Sequence, residues 1–286
     1  MHWYEAVGLI ALGFFAGGYG SMVGLGGGFI LMPAFLLLHY DSKVAAGTSI
    51  FVVLLNAASG SVQYLRQRRV DIRSAIVFAI AGVPGAWLGA AIDQVIPQRV
   101  FLFVFAALLA WAAVRLLTTS KLSHAELSAE AHRDDEPRPG LVDDESRGII
   151  TRDFQDRQGV RHTYSFNLAE GVIISIGAGF IASALGIGGG IVQVPAMIYL
   201  FAFPPHVAIA TSTLVIALTA LFGTASHALY GDVAWMPALL VGVGAVIGAQ
   251  IGARLAKRVP DKPLLQLLAL AVIVTDAKLI WDALSL

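Results

Sequence analysis

Long apolar runs separated by short polar turns make up most of the chain. Crossing a bilayer takes about 20 mostly apolar residues, and runs of that length fall at about 43–65, 71–92, 99–118, 206–229, 233–253 and 264–284. Two other apolar segments, 5–40 and 166–203, are about 35 residues long, and three consecutive glycines interrupt each. Each divides into a stretch of about 20 residues and one of about 12. At 1.5 Å per residue the shorter stretch reaches only about 18 Å, which predicts a half-helix after each glycine run.

A single polar block, 120–165, lies between the halves and carries 17 of the 38 Asp, Glu, Lys and Arg residues. Its first part, Ala125 to Ser146, is acidic and contains proline, the composition of a disordered segment. Its second part alternates from Ile149 to Phe154 and from Val160 to Tyr164 around Gln155–Gly159, which predicts a small hairpin. Charge density reads the whole block as a solvated loop without chemistry. The predicted domains are a first transmembrane repeat (1–119), this linker (120–165) and a second transmembrane repeat (166–286).

The halves are copies of one unit. Gly24-Leu25-Gly26-Gly27-Gly28-Phe29-Ile30-Leu31-Met32-Pro33-Ala34 recurs as Gly186-Ile187-Gly188-Gly189-Gly190-Ile191-Val192-Gln193-Val194-Pro195-Ala196, at an offset of 162. With a one-residue slip the match continues through Thr48-Ser49 and Thr211-Ser212, then through Gly85 and Gly89 against Gly248 and Gly252. Small and polar positions kept at a steady offset mark an internal duplication.

Loop charges give the orientation, because Lys and Arg gather on the cytoplasmic side. In the first copy the cationic loop carries Arg66, Arg68, Arg69 and Arg73; its counterpart, Tyr230-Gly231-Asp232-Val233, has no cation. In the second copy the cations come one element later, at Arg254, Lys257, Arg258 and Lys262, where the first copy has a single arginine, Arg99. The bias switches sides, as in an inverted repeat, a transporter architecture. Two parallel repeats would leave that switch unexplained. The expected fold is an all-α polytopic membrane protein with two inverted repeats, each with a glycine-broken first segment and three full transmembrane helices. The linker is then cytoplasmic and both termini lie outside.

Composition agrees: 57% of residues are hydrophobic, 13% are charged, and the mean hydropathy is +0.75. Soluble domains carry about 25% charged residues. A net charge of zero gives no basic stripe for nucleic acid, and without cysteine there are no disulfides or thiolate metal sites. No HExxH motif or intramembrane aspartate pair points to a hydrolase. The glycine run also lacks the GxGxxG spacing of a dinucleotide loop.

Three glycines in a row cost a helix about 1 kcal/mol each relative to alanine, and they unwind it. Unwound backbone survives in a bilayer only when buried in protein or lining a cavity. Isolated glycines such as Gly85, Gly89, Gly248 and Gly252 read instead as close-packing positions. Each predicted half-helix, Phe29–His39 and Ile191–Leu200, points its N-terminus at a glycine run, and free N–H groups with the positive dipole end attract an anion there. Candidate substrate-binding residues are therefore Gly26, Gly27, Gly28, Gly188, Gly189 and Gly190, joined by Thr48, Ser49, Thr211, Ser212, Asn56 and His227. Thr48 and Thr211 could equally bond their own helices. Asn56 serves helix contact as readily as substrate, and a histidine near a helix end such as His227 is more often interfacial. Asp276 and Lys278, two residues apart near the end of the last span, do not share a helix face. No catalytic residue, metal site or cofactor is expected.

The doubled G-[LI]-G-G-G-x-[IV]-x-x-P motif, its following Thr-Ser and the linker ending in a hairpin resemble the sulfite exporter TauE/SafE family. That resemblance spans nearly the whole chain. It implies an inner-membrane secondary transporter of a small anion, sulfite or an organosulfonate, with its site at the six glycines. Implied partners are the anion, a coupling proton or sodium ion, the lipid bilayer and, at most, further copies of the chain. An uncoupled anion channel with the same site is the alternative. One departure is Tyr64 opposite His227, which makes the two halves chemically unequal.

Overall fold

The computed structural model describes residues 3–97, 148–155 and 161–256, with isolated positions 100, 103 and 107. The expected spans at 99–118 and 264–284, the acidic first part of the linker, Asp276 and Lys278 lie outside the described residues, apart from those three positions. In chain order the elements are α1 (Trp3–Val23), α2 (Gly28–Leu37), α3 (Ser42–Arg66), α4 (Ile72–Asp93), β1 (Ile149–Gln155), β2 (Arg161–Asn167), α5 (Leu168–Ala184), α6 (Gly190–Tyr199), α7 (Pro205–Tyr230) and α8 (Trp235–Leu255). Helices α1, α3, α4, α7 and α8 are long and apolar enough to cross a membrane. With 10 residues each, α2 and α6 reach about 15 Å, so both glycine runs are followed by half-helices as predicted.

The bundle is built with small residues inside and large apolar ones outside. Buried positions of α8 include Gly244, Ala245, Gly248, Ala249 and Gly252, while Phe15, Ile80, Ile173 and Ile247 are exposed. Lipid is as apolar as leucine, so helices associate through close backbone contact rather than through hiding large side chains. A methyl group at Gly248 would stand 2.1 Å from the Phe14 carbonyl oxygen, and one at Gly85 would stand 2.0 Å from that of Ile176. These glycines are packing positions, as read from the sequence.

The contacts follow the repeat offset. Gly17 meets Ala245 as Gly179 meets Gly82, and Gly252 meets Gly18 as Gly89 meets Phe180. Helix α1 therefore packs on α8 as α5 packs on α4, each pair joining the two repeats. Contacts advance together along each pair (Gly13 with Val241, then Gly17 with Ala245), so α1 and α8 run parallel, as do α4 and α5. At the centre α3 and α7 are antiparallel, with Gly60 facing Thr213 and Gly223 facing Ile50.

The two ends of the bundle differ in charge. At one end, Gln67 after α3 donates to the carbonyl of Ala253 near the end of α8 (3.2 Å), and Arg66, Arg68, Arg69, Arg73 and Arg254 belong to these segments. At the other, Lys43 donates to the Gln94 carbonyl (2.8 Å) and the Gln94 amide to Asp232, with Asp41 and Asp93 on the same segments.

The linker's second part is the expected antiparallel hairpin, pairing Ile149 with Asn167 through Gln155 with Arg161. It is more than a solvated loop. Tyr164 and Phe166 are buried against Phe78, Phe201 and Phe203. Tyr164 donates to Asp71 (2.7 Å), and the Arg152 guanidinium lies 3.6 Å from the same carboxylate. Burial first, and the Asp71 carboxylate second, push the Tyr164 phenol well above its ordinary range, so it stays a donor. An alternating strand with aromatics on one face finds an apolar seat even where its other face is charged.

Because Gly85 and Gly248 touch backbone, Gly85→Ala and Gly248→Ala should each cost about 1–3 kcal/mol, seen as lower thermal unfolding midpoints in detergent. Gly8→Ala and Gly177→Ala, with nothing within 4 Å of the added methyl, should not lower them.

Candidate substrate site

The two glycine runs meet each other at the centre of the bundle. Gly24, Gly26, Gly27 and their counterparts Gly186, Gly188 and Gly189 all have positive φ, a backbone that L side chains rarely adopt. Gly28 and Gly190 are glycine for a different reason. A methyl at Gly28 would lie 2.6 Å from the Gly186 carbonyl oxygen, and one at Gly190 would lie 2.6 Å from that of Gly24. The N-termini of α2 and α6 are thus apposed, each starting at a left-handed Gly27 or Gly189.

The Thr-Ser pairs hold this contact across the repeats. Ser49 donates to the Gly186 carbonyl (2.6 Å) and Ser212 to that of Gly24 (3.4 Å). Thr48 accepts from the N–H of Ala234 before α8 (3.0 Å), and Thr211 accepts from that of Asp71 before α4 (3.1 Å). Bonding to their own helices falls instead to Thr213 and Thr219. The four predicted hydroxyls are brought to the glycine loops, or to helix starts in the other repeat, where each satisfies a backbone group.

Asn56 and Thr219 are equivalent in the repeats but differ in action. Asn56 donates to the Gly26 carbonyl (2.8 Å) and accepts from Ser21 (3.2 Å), tying down the first loop. Thr219 bonds back to Val215 (2.9 Å). Beside the second loop a cavity of about 10 Å³ remains, lined by Ser175, Gly188, Gly189, Gln193 and Thr219 among others, room for about one oxygen-sized group. Gln193 is buried, its amide donates to Ser175 (3.3 Å), and its carbonyl oxygen has no partner. Leu31 is the counterpart of Gln193, so this polar group belongs to the second repeat alone.

His227 lies away from the apposed N-termini. Its Nε2 is 2.9 Å from the Ser183 carbonyl oxygen, while Tyr64 donates to the equivalent Ser21 carbonyl (2.6 Å). The inequality read from the sequence is real, yet both side chains hold the same backbone position.

Residues 9–279 match the family described as sulfite exporter TauE/SafE. The chain belongs to that family. A probable membrane transporter protein of Bacillus subtilis (YunE) is 32% identical over 96% of this chain and 97% of its own length. A probable membrane transporter protein of Xylella fastidiosa is 29% identical over 92% and 93%, and one of Methanocaldococcus jannaschii 24% over 90% and 88%. No solved structure matches. The resemblance drawn from the doubled motif is borne out, and this TauE/SafE family membrane transporter is membrane-embedded through apolar helices. Its relatives are named as transporters, not as enzymes.

Sequence reasoning left Gln193, Ser175 and Ser183 out of the site. The aligned repeats set Gln193 against Leu31, and a lone amide where its copy has leucine was the signal to include it. No periodic signal could have shown that Ser21 and Ser183 supply matching carbonyls.

Asn56→Ala removes the donor to a buried carbonyl and should cost about 1–3 kcal/mol, read as a lower unfolding midpoint in detergent. Thr219→Ala, which removes a hydroxyl bonded only within its own helix, should cost less.

Proposed function

We propose that the chain is a secondary transporter moving a small anion, sulfite or an organosulfonate, across the inner membrane through a site between the glycine-broken segments. The apposed N-termini of α2 and α6 carry this reading. Helix starts offer N–H groups and a positive dipole end to a negative charge. Among the described residues every Lys and Arg of the helices sits in a first or last turn, so the N-termini are the positive ends nearest the middle of the bundle. The six loop glycines bring backbone to the anion, Thr48, Ser49, Thr211, Ser212 and Asn56 hold the loops around it, and Gln193 with the cavity at the second loop gives it a polar foothold. His227 is not among the anion's contacts in this reading. The family description names sulfite, which supports a sulfur oxyanion.

The repeats are inverted in this proposal, and the helix directions support it. The corresponding helices α3 and α7 are antiparallel, and the parallel pairs α1 with α8 and α5 with α4 are those an inverted pair of copies would form. The arginine-bearing end is then cytoplasmic by the preference of cations for that side, and the hairpin docks there through Arg152 and Asp71. Coupling goes to a proton or a sodium ion.

In proteoliposomes offered sulfite, sulfonates, thiosulfate and sulfate, with and without a pH gradient, at least one anion should accumulate. Flux that never responds to an ion gradient would make the protein a channel. Gly27→Val and Gly189→Val place a branched side chain at positive φ, with Cβ 2.6 and 2.9 Å from carbonyls of the preceding helices, and should abolish flux while the protein still inserts. Retained flux in both would remove the loops from the mechanism. Cysteine placed by Ser128→Cys should resist an impermeant thiol reagent in intact cells, and labelling would reverse the topology.

A further inference from the structure

The aspartate-bearing end contains a buried site that is one proton short. The His227 ring is fully buried. Its Nε2 faces the Ser183 carbonyl (2.9 Å), which can only accept, so Nε2 carries the hydrogen. In the neutral ring Nδ1 is then a bare lone pair. It has no hydrogen-bond partner and lies 3.6 Å from the Asp232 carboxylate. Two acceptors face each other, and a single proton on Nδ1 would turn them into a charge-assisted imidazolium–carboxylate pair.

We infer that His227 and Asp232 form the proton-binding site that couples anion movement to proton movement. This rests on the transporter reading above and names its coupling ion. Among the described residues the charge acting on His227 is that of Asp232. The charges acting on the neighbouring Asp93 are those of Asp232, Lys43 and Asp41. They come from the α7–α8 turn, the end of α4 and the start of α3, while α5 contributes the uncharged Ser183. Asp93 is buried with one carboxylate oxygen unpartnered, and Asp41 is exposed. The carboxylates thus lead from solvent to the imidazole.

Both members of the pair are tied to the second glycine loop. His227 holds Ser183, three residues before Gly186. The Asp232 carbonyl lies where a methyl at Gly47 would be 2.4 Å away; next to Gly47, Thr48 binds Ala234 and Ser49 binds Gly186. A proton that draws His227 and Asp232 together pulls on that loop from two sides, and an anion that moves the loop changes the pair. Such coupling must be reciprocal.

The repeat supplies an internal control. In the first copy Tyr64 and Arg69 occupy the equivalent positions, with the same turn closed by Arg69 N–H to Tyr64 (3.3 Å) as by Asp232 N–H to His227 (3.0 Å). Tyrosine suffices to hold the carbonyl, so histidine and aspartate add a proton site to the same frame.

The test uses proteoliposomes loaded with a pH-sensitive dye and given radiolabelled sulfite, sulfoacetate, thiosulfate or sulfate with the membrane potential clamped. One proton per anion gives about tenfold accumulation across one pH unit, together with a dye signal. His227→Tyr, which copies the first repeat, and Asp232→Asn, whose amide can donate to Nδ1, should each keep labelled-anion counterflow and lose both accumulation and dye signal. Accumulation retained in both variants overturns the assignment, and if His227→Tyr does not fold, Asp232→Asn decides alone. Wild-type counterflow with no response to the pH gradient also overturns it. A wild-type protein with no counterflow of any of these anions overturns the anion-transporter reading itself.

Discussion

Everything in the bundle is arranged around one contact, that of two unwound glycine loops meeting backbone to backbone. With no Cβ at Gly28 or Gly190, each helix start approaches the carbonyl that opens the opposite loop. Any side chain there would separate the halves. Such a contact leaves peptide groups without helical partners in an apolar interior, where an unmet one costs about 1–3 kcal/mol. The crossing bonds from Ser49 and Ser212, and that from Asn56, meet those groups. The duplicated Thr-Ser motif thus follows from the duplicated loop.

The same logic sets the outer packing. Loops can meet at the centre only if the helices that carry them approach closely, and α1 with α8 and α5 with α4 do so over stripes of glycine and alanine. Each of these pairs joins the two repeats. Neither half can complete its packing without the other, so the duplicated unit is a unit of sequence and not of stability.

Much of this was legible beforehand because membrane sequence is written in length and composition. Helices α3, α4, α7 and α8 and the two half-helices fall within about two residues of expectation, and the hairpin within three. The apolar runs are long and the glycine breaks are unambiguous. What stayed hidden was partnership. Thr48 and Ser49 read as binding groups because the pair recurs at the same position of the repeat, but recurrence cannot say that the partners are Ala234 and Gly186, more than 130 residues away. The hairpin's docking was missed for a similar reason: Tyr164 and Phe166 alternate with polar residues, and charge density outweighed that alternation.

The places where the repeats disagree carry more information about function than those where they agree. Agreement is demanded by the frame, since both loops need their glycines, serines and the bonded carbonyls of Ser21 and Ser183. Disagreement is not. Leu31 stands against Gln193, Asn56 against Thr219, Tyr64 against His227 and Arg69 against Asp232. A duplicated frame that holds an anion by backbone dipoles needs no chemical difference between its halves. A frame that must also answer to a proton needs a titratable group tied to one loop, and having it in one half only gives that loop a state the other lacks.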